Sequence, residues 1–197
     1  MVISDKLRCI FVHIQKTGGI SIESVLRQGD PAIGSHLHEG RRHLSAREIA
    51  PLVQPSQWSD YFKFAFVRNP WDRLVSWHCM CVQSKNPNRF ADYVQRCAPT
   101  FEAFVTRAVT GPGEKTTRNQ LDYLTDAHGA MIVDFVGRYE TLNEDFAQVR
   151  QRLQLSAELP HANQSSHRDY REYYTAETRE IVAQRFARDI RQFGYEF

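Results

Sequence analysis

The sequence has no long apolar run: no stretch of its 197 residues approaches the ~18–20 that cross a bilayer. The opening residues Met1–Lys6 lack the apolar h-region of a signal peptide. Cysteine is scarce, with four thiols at Cys9, Cys79, Cys81 and Cys97. Cys79 and Cys81 are two apart on a predicted helix and face different directions. Neither a disulfide framework nor a thiolate metal site is expected, and all four are read as reduced. Charge of one sign is also missing: the net charge of +2 does not argue for nucleic acid or an anionic membrane as partner, whereas a small anion needs only a local basic pocket. Low-complexity linkers and internal repeats are absent. These absences leave a soluble, cytoplasmic chain without a membrane anchor, read as one domain over residues 1–197 and long enough to bury roughly two-thirds of its unfolded surface. A hydrophobic content of 42% and a charged content of 24% are ordinary for such a domain.

Against that background one stretch stands out. Cys9-Ile10-Phe11-Val12-His13-Ile14 is almost continuously apolar and rich in β-branched residues, as in a strand buried on both faces of a parallel sheet. It stops at Gln15-Lys16-Thr17-Gly18-Gly19. A helical pattern follows, with apolar residues at Ile20, Ile22, Val25 and Leu26. A strand, a glycine-bearing turn with a Lys and hydroxyls, and then a helix present free backbone N–H groups to a phosphate-like anion. An ordinary tight turn with a solvated Lys16 has the same local pattern. The P-loop of nucleotide kinases, GxxxxGK[ST], does not fit, because Lys16 precedes Gly18 and Gly19.

A second motif has the same architecture. Tyr61–Val67 reads as a core strand and runs directly into Arg68-Asn69-Pro70-Trp71-Asp72-Arg73-Leu74-Val75-Ser76. Asn69 suits an N-cap, Pro70 the first helical turn and Asp72 the positive helix end, predicting a helix over 70–81. Arg68 falls at the carboxyl end of the strand, where open α/β sheets bind ligands. Ile132–Gly137 is a third strand candidate. Strands alternating with helices argue for a parallel sheet in an α/β layered fold.

Between the motifs, Gln28–His43 reads as a long polar loop carrying His36, His38 and His43. Its length suggests function, but the spacing does not argue for a metal. Ser45-Ala46-Arg47-Glu48 and Thr141-Leu142-Asn143-Glu144 read as capping boxes. Residues 83–100 read as a polar connection with one helical turn or more, and Thr100 caps a short helix beyond it. Thr175 caps a last helix whose Ile181, Val182, Phe186, Ile190 and Phe193 form one apolar stripe. Gln120 can reach a ligand or sit as an amide on a helix surface.

The segment His13-Ile14-Gln15-Lys16-Thr17-Gly18-Gly19-Ile20-Ser21 resembles the 5′-phosphosulfate-binding loop of sulfotransferases that use 3′-phosphoadenosine 5′-phosphosulfate (PAPS). It is most similar to the carbohydrate branch, which includes the heparan sulfate 2-O and 6-O enzymes. The Arg68–Ser76 segment matches the same family, and the likeness runs weakly to the C-terminus. The resemblance implies a P-loop-like sulfotransferase fold with helices on both faces of the sheet. It also implies PAPS as co-substrate without a metal, and an alcohol acceptor, small molecule or glycan. Lys16, Thr17, Gly18, Gly19, Ile20 and Ser21 would hold the 5′-phosphosulfate, with hydroxyl hydrogen bonds from Thr17 and Ser21. Arg68 and Ser76 would hold the 3′-phosphate, and Lys16 would stabilise the departing phosphate oxygen. A general base near neutral pH is required, and His43 is the choice, with His36 and His38 as alternatives. His13 is read as structural. A nucleotide-dependent kinase and a non-catalytic nucleotide-binding protein remain as other classes, and the sequence assigns no oligomeric state.

Overall fold

Two runs, Cys9–Val12 and Phe62–Val67, are buried at every position, as expected of strands covered on both sides. The computed structural model describes residues 1–35, 42–109, 118–160 and 167–197. In chain order the main elements are β1 (Val2–Ser4), β2 (Cys9–Val12), α1 (Gly19–Gly29), α2 (Ala46–Ile49), α3 (Pro55–Asp60), β3 (Phe62–Val67), α4 (Pro70–Gln83), α5 (Arg89–Cys97), α6 (Phe101–Ala103), β4 (Phe135–Arg138), α7 (Leu142–Leu153), α8 (Ala176–Arg185) and α9 (Ala187–Phe193). The chain divides into two compact units, one of Met1–Arg68 with Gln120–Gln164, the other of Asn69–Asn119 with Ser165–Phe197.

The first unit contains a mixed sheet of order β1-β2-β3-β4. β2, β3 and β4 are parallel, with Val12 opposite Ala65 and Phe64 opposite Phe135. β1 pairs antiparallel with β2, Val2 opposite Phe11. Three residues are too few to show a period of two, which is why this edge strand is not legible in the sequence. β4 starts three residues later than the Ile132–Gly137 pattern predicts, and the cause is local. Ile132 donates its N–H to the Leu124 carbonyl at 2.9 Å, and Met131 bridges Thr125, so the preceding backbone is committed elsewhere.

On one side of this sheet Phe11, Phe62, Phe64 and Phe66 pack with Ile22, Val25 and Leu26 of α1 and with Phe146, Val149 and Leu153 of α7. Phe11 and Phe64 stack with centroids 5.0 Å apart. Truncating such a buried Phe to Ala costs ~3–5 kcal/mol, so this layer fixes where α1, and the loop before it, can lie. The Ser45 capping box forms as expected. The Thr141 box does not. Thr141 has φ −119° and ψ 35°, which takes its hydroxyl away from the helix amides. That hydroxyl donates instead to Asp145 Oδ2 at 2.8 Å, and the same oxygen accepts from the Arg138 N–H at 2.7 Å.

In the second unit α4 starts as expected: Pro70 opens it and the Asn69 carboxamide oxygen accepts from the Trp71 N–H at 3.0 Å. The stretch read as a polar connection is mostly α5, capped by Asn88 and burying Ala91 and Val94. Its buried face is too narrow to stand out beside Arg89, Asp92, Gln95 and Arg96. The C-terminal stripe is split in two at Phe186, whose φ of −109° interrupts the helical backbone between α8 and α9. Val182, Phe186 and Phe193 remain buried, and Ile181 and Ile190 are only partly covered.

Candidate active site

The loop between β2 and α1 is built around two residues with left-handed backbone, Lys16 at φ 69° and Gly18 at φ 80°. Gly18 is also the N-cap of α1. No side chain caps this helix and its first turn carries no acidic residue. Ser21 already gives its N–H to the Gly18 carbonyl at 3.1 Å, so the amides offered to an external anion, at the positive end of the helix dipole, are those of Gly19 and Ile20. Thr17 is fully buried and its hydroxyl donates to the Ile14 carbonyl at 2.9 Å. The hydroxyl expected to serve a ligand is therefore spent on holding the loop, which leaves the Thr17 N–H. Ser21 is buried in the first turn of α1. Ile20 is 61% exposed, so its contribution to an anion site is restricted to its N–H.

Gly19 is fixed by a neighbour. A Cβ there would come within 2.2 Å of both Cδ2 and Nε2 of His13. The His13 ring cannot readily give way, because it is buried, stacked 5.5 Å from Phe11, and bonded through Nδ1 to Glu23 Oε1 at 2.7 Å. Glu23, in the second turn of α1, also accepts from Arg42 Nε at 3.3 Å and from Arg42 Nη2. Burial raises the Glu23 pKa, but the bonds from His13 and Arg42 outweigh it and hold the carboxyl down at about 2. Burial lowers the pKa of His13, against the pull of Glu23. The consistent state is an ionised Glu23 accepting the Nδ1–H of a neutral His13.

His43 meets the same cluster. Its Nδ1 lies 2.9 Å from the His13 carbonyl, and the two rings are T-shaped at 4.7 Å. A carbonyl only accepts, so His43 Nδ1 carries the proton and Nε2 of the neutral ring is left as an acceptor. Burial, the main cause, lowers its pKa to about 4. His43 thus stands against the residue whose ring abuts the glycine loop. His36 and His38 lie outside the described residues.

Arg68 comes to the same loop from β3. Its Nη1 donates to the Lys16 carbonyl at 3.2 Å, and its guanidinium lies 3.9 Å from the centroid of Tyr139. It is only 3% exposed. Gln120 is buried rather than on a surface, and its carboxamide is bonded to the Arg68 backbone. Within the first unit Arg68 thus bonds to Lys16 in the glycine loop, and His43 connects to that loop through His13, whose ring lies against Gly19. Ser76 is buried on α4 in the second unit. Sequence reasoning missed Glu23, Arg42 and Tyr139. The one available signal was Glu23, a charge flanked by the buried positions Ile22 and Val25 on a helix that follows a glycine loop.

All four cysteines are free. Among the described residues no group of three or more His, Cys, Asp or Glu is placed to hold a metal ion, and no helix is long and apolar enough to cross a membrane. A family model described as the sulfotransferase family matches residues 1–196. An uncharacterized protein of Archaeoglobus fulgidus is 32% identical over 113 residues, covering 56% of this chain and 82% of the relative. Among solved structures, mouse sulfotransferase SULT7A1 complexed with PAP superposes with a TM-score of 0.59 at 15% identity, covering 96% of this chain and 91% of that one. At that identity the likeness is one of fold.

Proposed function

Because the chain belongs to the sulfotransferase family, we propose that residues 1–197 act as one catalytic domain moving a sulfuryl group from PAPS to an alcohol, by our reading a carbohydrate hydroxyl. The observation that carries this is the bond from Arg68 Nη1 to the Lys16 carbonyl. It joins the two cationic motifs at one place, as a ligand with phosphate at both ends of its ribose requires. The mouse structural neighbour holds PAP, the desulfated product of such a donor.

In this reading Lys16 and the N–H groups of Thr17, Gly18, Gly19 and Ile20 receive the 5′-phosphosulfate, with the Ser21 hydroxyl beside them. Arg68, whose guanidinium already reaches the glycine loop, receives the 3′-phosphate. Ser76 joins it on the strength of the motif resemblance alone. His43 Nε2 takes the proton of the acceptor hydroxyl as the new oxygen–sulfur bond forms. The bond from sulfur to the bridging phosphate oxygen breaks in line. Lys16 and the start of α1 stabilise the charge arriving on that oxygen. Sulfuryl transfer, like phosphoryl transfer, asks the protein mainly for positioning and charge stabilisation, and no role here is given to a metal. The free cysteines support a reducing compartment, the cytoplasm in our reading.

The test is incubation with radiolabelled PAPS and a panel of sugars, glycans and simple alcohols. Transfer of label to a hydroxyl is expected. Replacing Lys16 by Ala should cost ~2.7–4 kcal/mol of transition-state stabilisation, as loss of an oxyanion donor does. Binding of PAP without transfer to any acceptor would identify a nucleotide-binding protein instead. A Lys16→Ala protein as active as the parent and normally folded would remove Lys16 from the mechanism.

A further inference from the structure

Glu23 is a carboxylate whose side chain is 3% exposed, placed where α1 otherwise buries Ile22, Val25 and Leu26. A buried charge is costly unless its partners compensate it, and here both partners lead to His43. One is His13, whose backbone carbonyl accepts the His43 Nδ1–H. The other is Arg42, the residue directly before His43, whose side chain is 47% exposed while its end reaches inward to Glu23. The Arg42 carbonyl, in turn, accepts from the amino group of Met1.

We propose that Glu23 is a positioning residue for His43: one buried carboxylate clamps the His13 side chain and Arg42, and so fixes the location of the imidazole, while the His13 carbonyl sets its tautomer. The role rests on His43 being the general base. The hydrogen bonds of the Glu23 carboxylate go to His13 and Arg42 and not to the amides of the loop. It holds the His13 side chain on one side and the polypeptide carrying His43 on the other. With Gln in its place Oε1 can still accept the His13 Nδ1–H, but an NH2 then faces Arg42 Nη2 and the ion pair that ties the chain at Arg42 to α1 is lost. His43 then keeps its identity and loses its fixed orientation. Among the described residues the titratable and charged groups facing His43 and Glu23 in this cluster are His13, Arg42 and the amino group of Met1.

The test is a cycle of Glu23→Gln, His43→Ala and the double variant in the intact chain, assayed with PAPS and whichever hydroxyl acceptor takes up label. Glu23→Gln should lower kcat by about tenfold or more, the range seen when an outer partner orienting a functional histidine is removed. Affinity for adenosine 3′,5′-bisphosphate should stay within about twofold. In the His43→Ala background Glu23→Gln should have no further effect, because residues acting as one unit are not additive. The acid limb of kcat/KM should move from about 4 toward the ordinary 6.5 as the released imidazole gains water. Should Glu23→Gln fold poorly, Arg42→Gln at the exposed arm should give the same kcat loss and the same non-additivity.

His43→Ala inactive with Glu23→Gln and Arg42→Gln fully active would overturn the positioning role and leave His43 as base. Losses that multiply in the double variant would also overturn it. A His43→Ala protein as active as the parent would overturn the base assignment, and this proposal with it.

Discussion

The carboxamide of Gln120 occupies both main-chain polar groups of Arg68: its Oε1 accepts the Arg68 N–H at 2.9 Å and its Nε2 donates to the Arg68 carbonyl at 2.8 Å. The pairing is that of a neighbouring strand. The ladder from β3 to β4 ends at Val67 and Arg138, and Gln120 takes over one residue further on. A single side chain thus extends the order of the sheet to the residue that faces the glycine loop.

Replacing Gln120 by Leu keeps the volume and strands two buried backbone groups, each costing ~1–3 kcal/mol. A lower urea midpoint is expected, with affinity for adenosine 3′,5′-bisphosphate falling by more than affinity for adenosine 5′-monophosphate. Calorimetry with both nucleotides checks this. Equal losses for the two would mean that Gln120 supports the fold without directing Arg68.

The two core strands and the loops that follow them were legible because burial on both faces leaves a mark in composition. Cys9–Val12 and Phe62–Val67 carry apolar residues at nearly every position, and the following Lys16 and Arg68 break the pattern abruptly. The chemistry of support was not legible. Glu23 looks like a solvated helix residue until His13 and Arg42, ten residues before and nineteen after it, close over its carboxylate. Gln120 and Tyr139 lie fifty-two and seventy-one positions beyond Arg68 and meet it only through the fold. Sequence spacing reports contacts within one helix or strand, and these are contacts between elements.

Gly19 offers a direct check on the packing of the loop. A methyl group there meets the His13 ring at 2.2 Å, and His13 is held from the other side by Glu23. Overpacking of this kind costs ~1–3 kcal/mol. Gly19→Ala should therefore lower stability and weaken adenosine 3′,5′-bisphosphate binding together. Retention of both would show that the ring moves freely, and that Glu23 does not hold it.

Acid should act on this protein in two windows. His43 has a folded pKa of about 4 against an ordinary 6.5. Between those values the unfolded chain takes a proton that the folded chain refuses, so stability falls as pH drops from 6.5 to about 4. His13, also lowered, acts in the same direction. Glu23, at about 2 against 4.5, adds a second loss as pH falls below 4.5. Urea midpoints across pH 4–8 should decline toward acid, and His43→Gln should flatten the upper window without abolishing it. Activity should follow the same imidazole: kcat/KM reports the free enzyme, so its acid limb belongs near pH 4. A limb at the unperturbed 6.5 would place the catalytic histidine elsewhere, in the 36–41 segment.

Arg68 gives the sharpest separation from a kinase or a generic nucleotide binder. If it receives the 3′-phosphate, the protein should prefer adenosine 3′,5′-bisphosphate over adenosine 5′-monophosphate. One charge-assisted hydrogen bond is worth ~1.5–3 kcal/mol, so the preference should be at least about tenfold, since ~1.4 kcal/mol is a factor of ten. Arg68→Ala should erase most of it. The bond from Arg68 to the Lys16 carbonyl adds a second effect, because Lys16 sits in a left-handed conformation that a β-carbon disfavours. The monophosphate should therefore also bind less tightly to Arg68→Ala, by roughly the 0.5–1.5 kcal/mol of one ordinary hydrogen bond. Calorimetry of two nucleotides on two proteins gives a four-point cycle whose coupling isolates the 3′-phosphate. Equal affinity of the parent protein for both nucleotides, or tighter binding of ATP with Mg²⁺ than of either, would overturn PAPS as the donor.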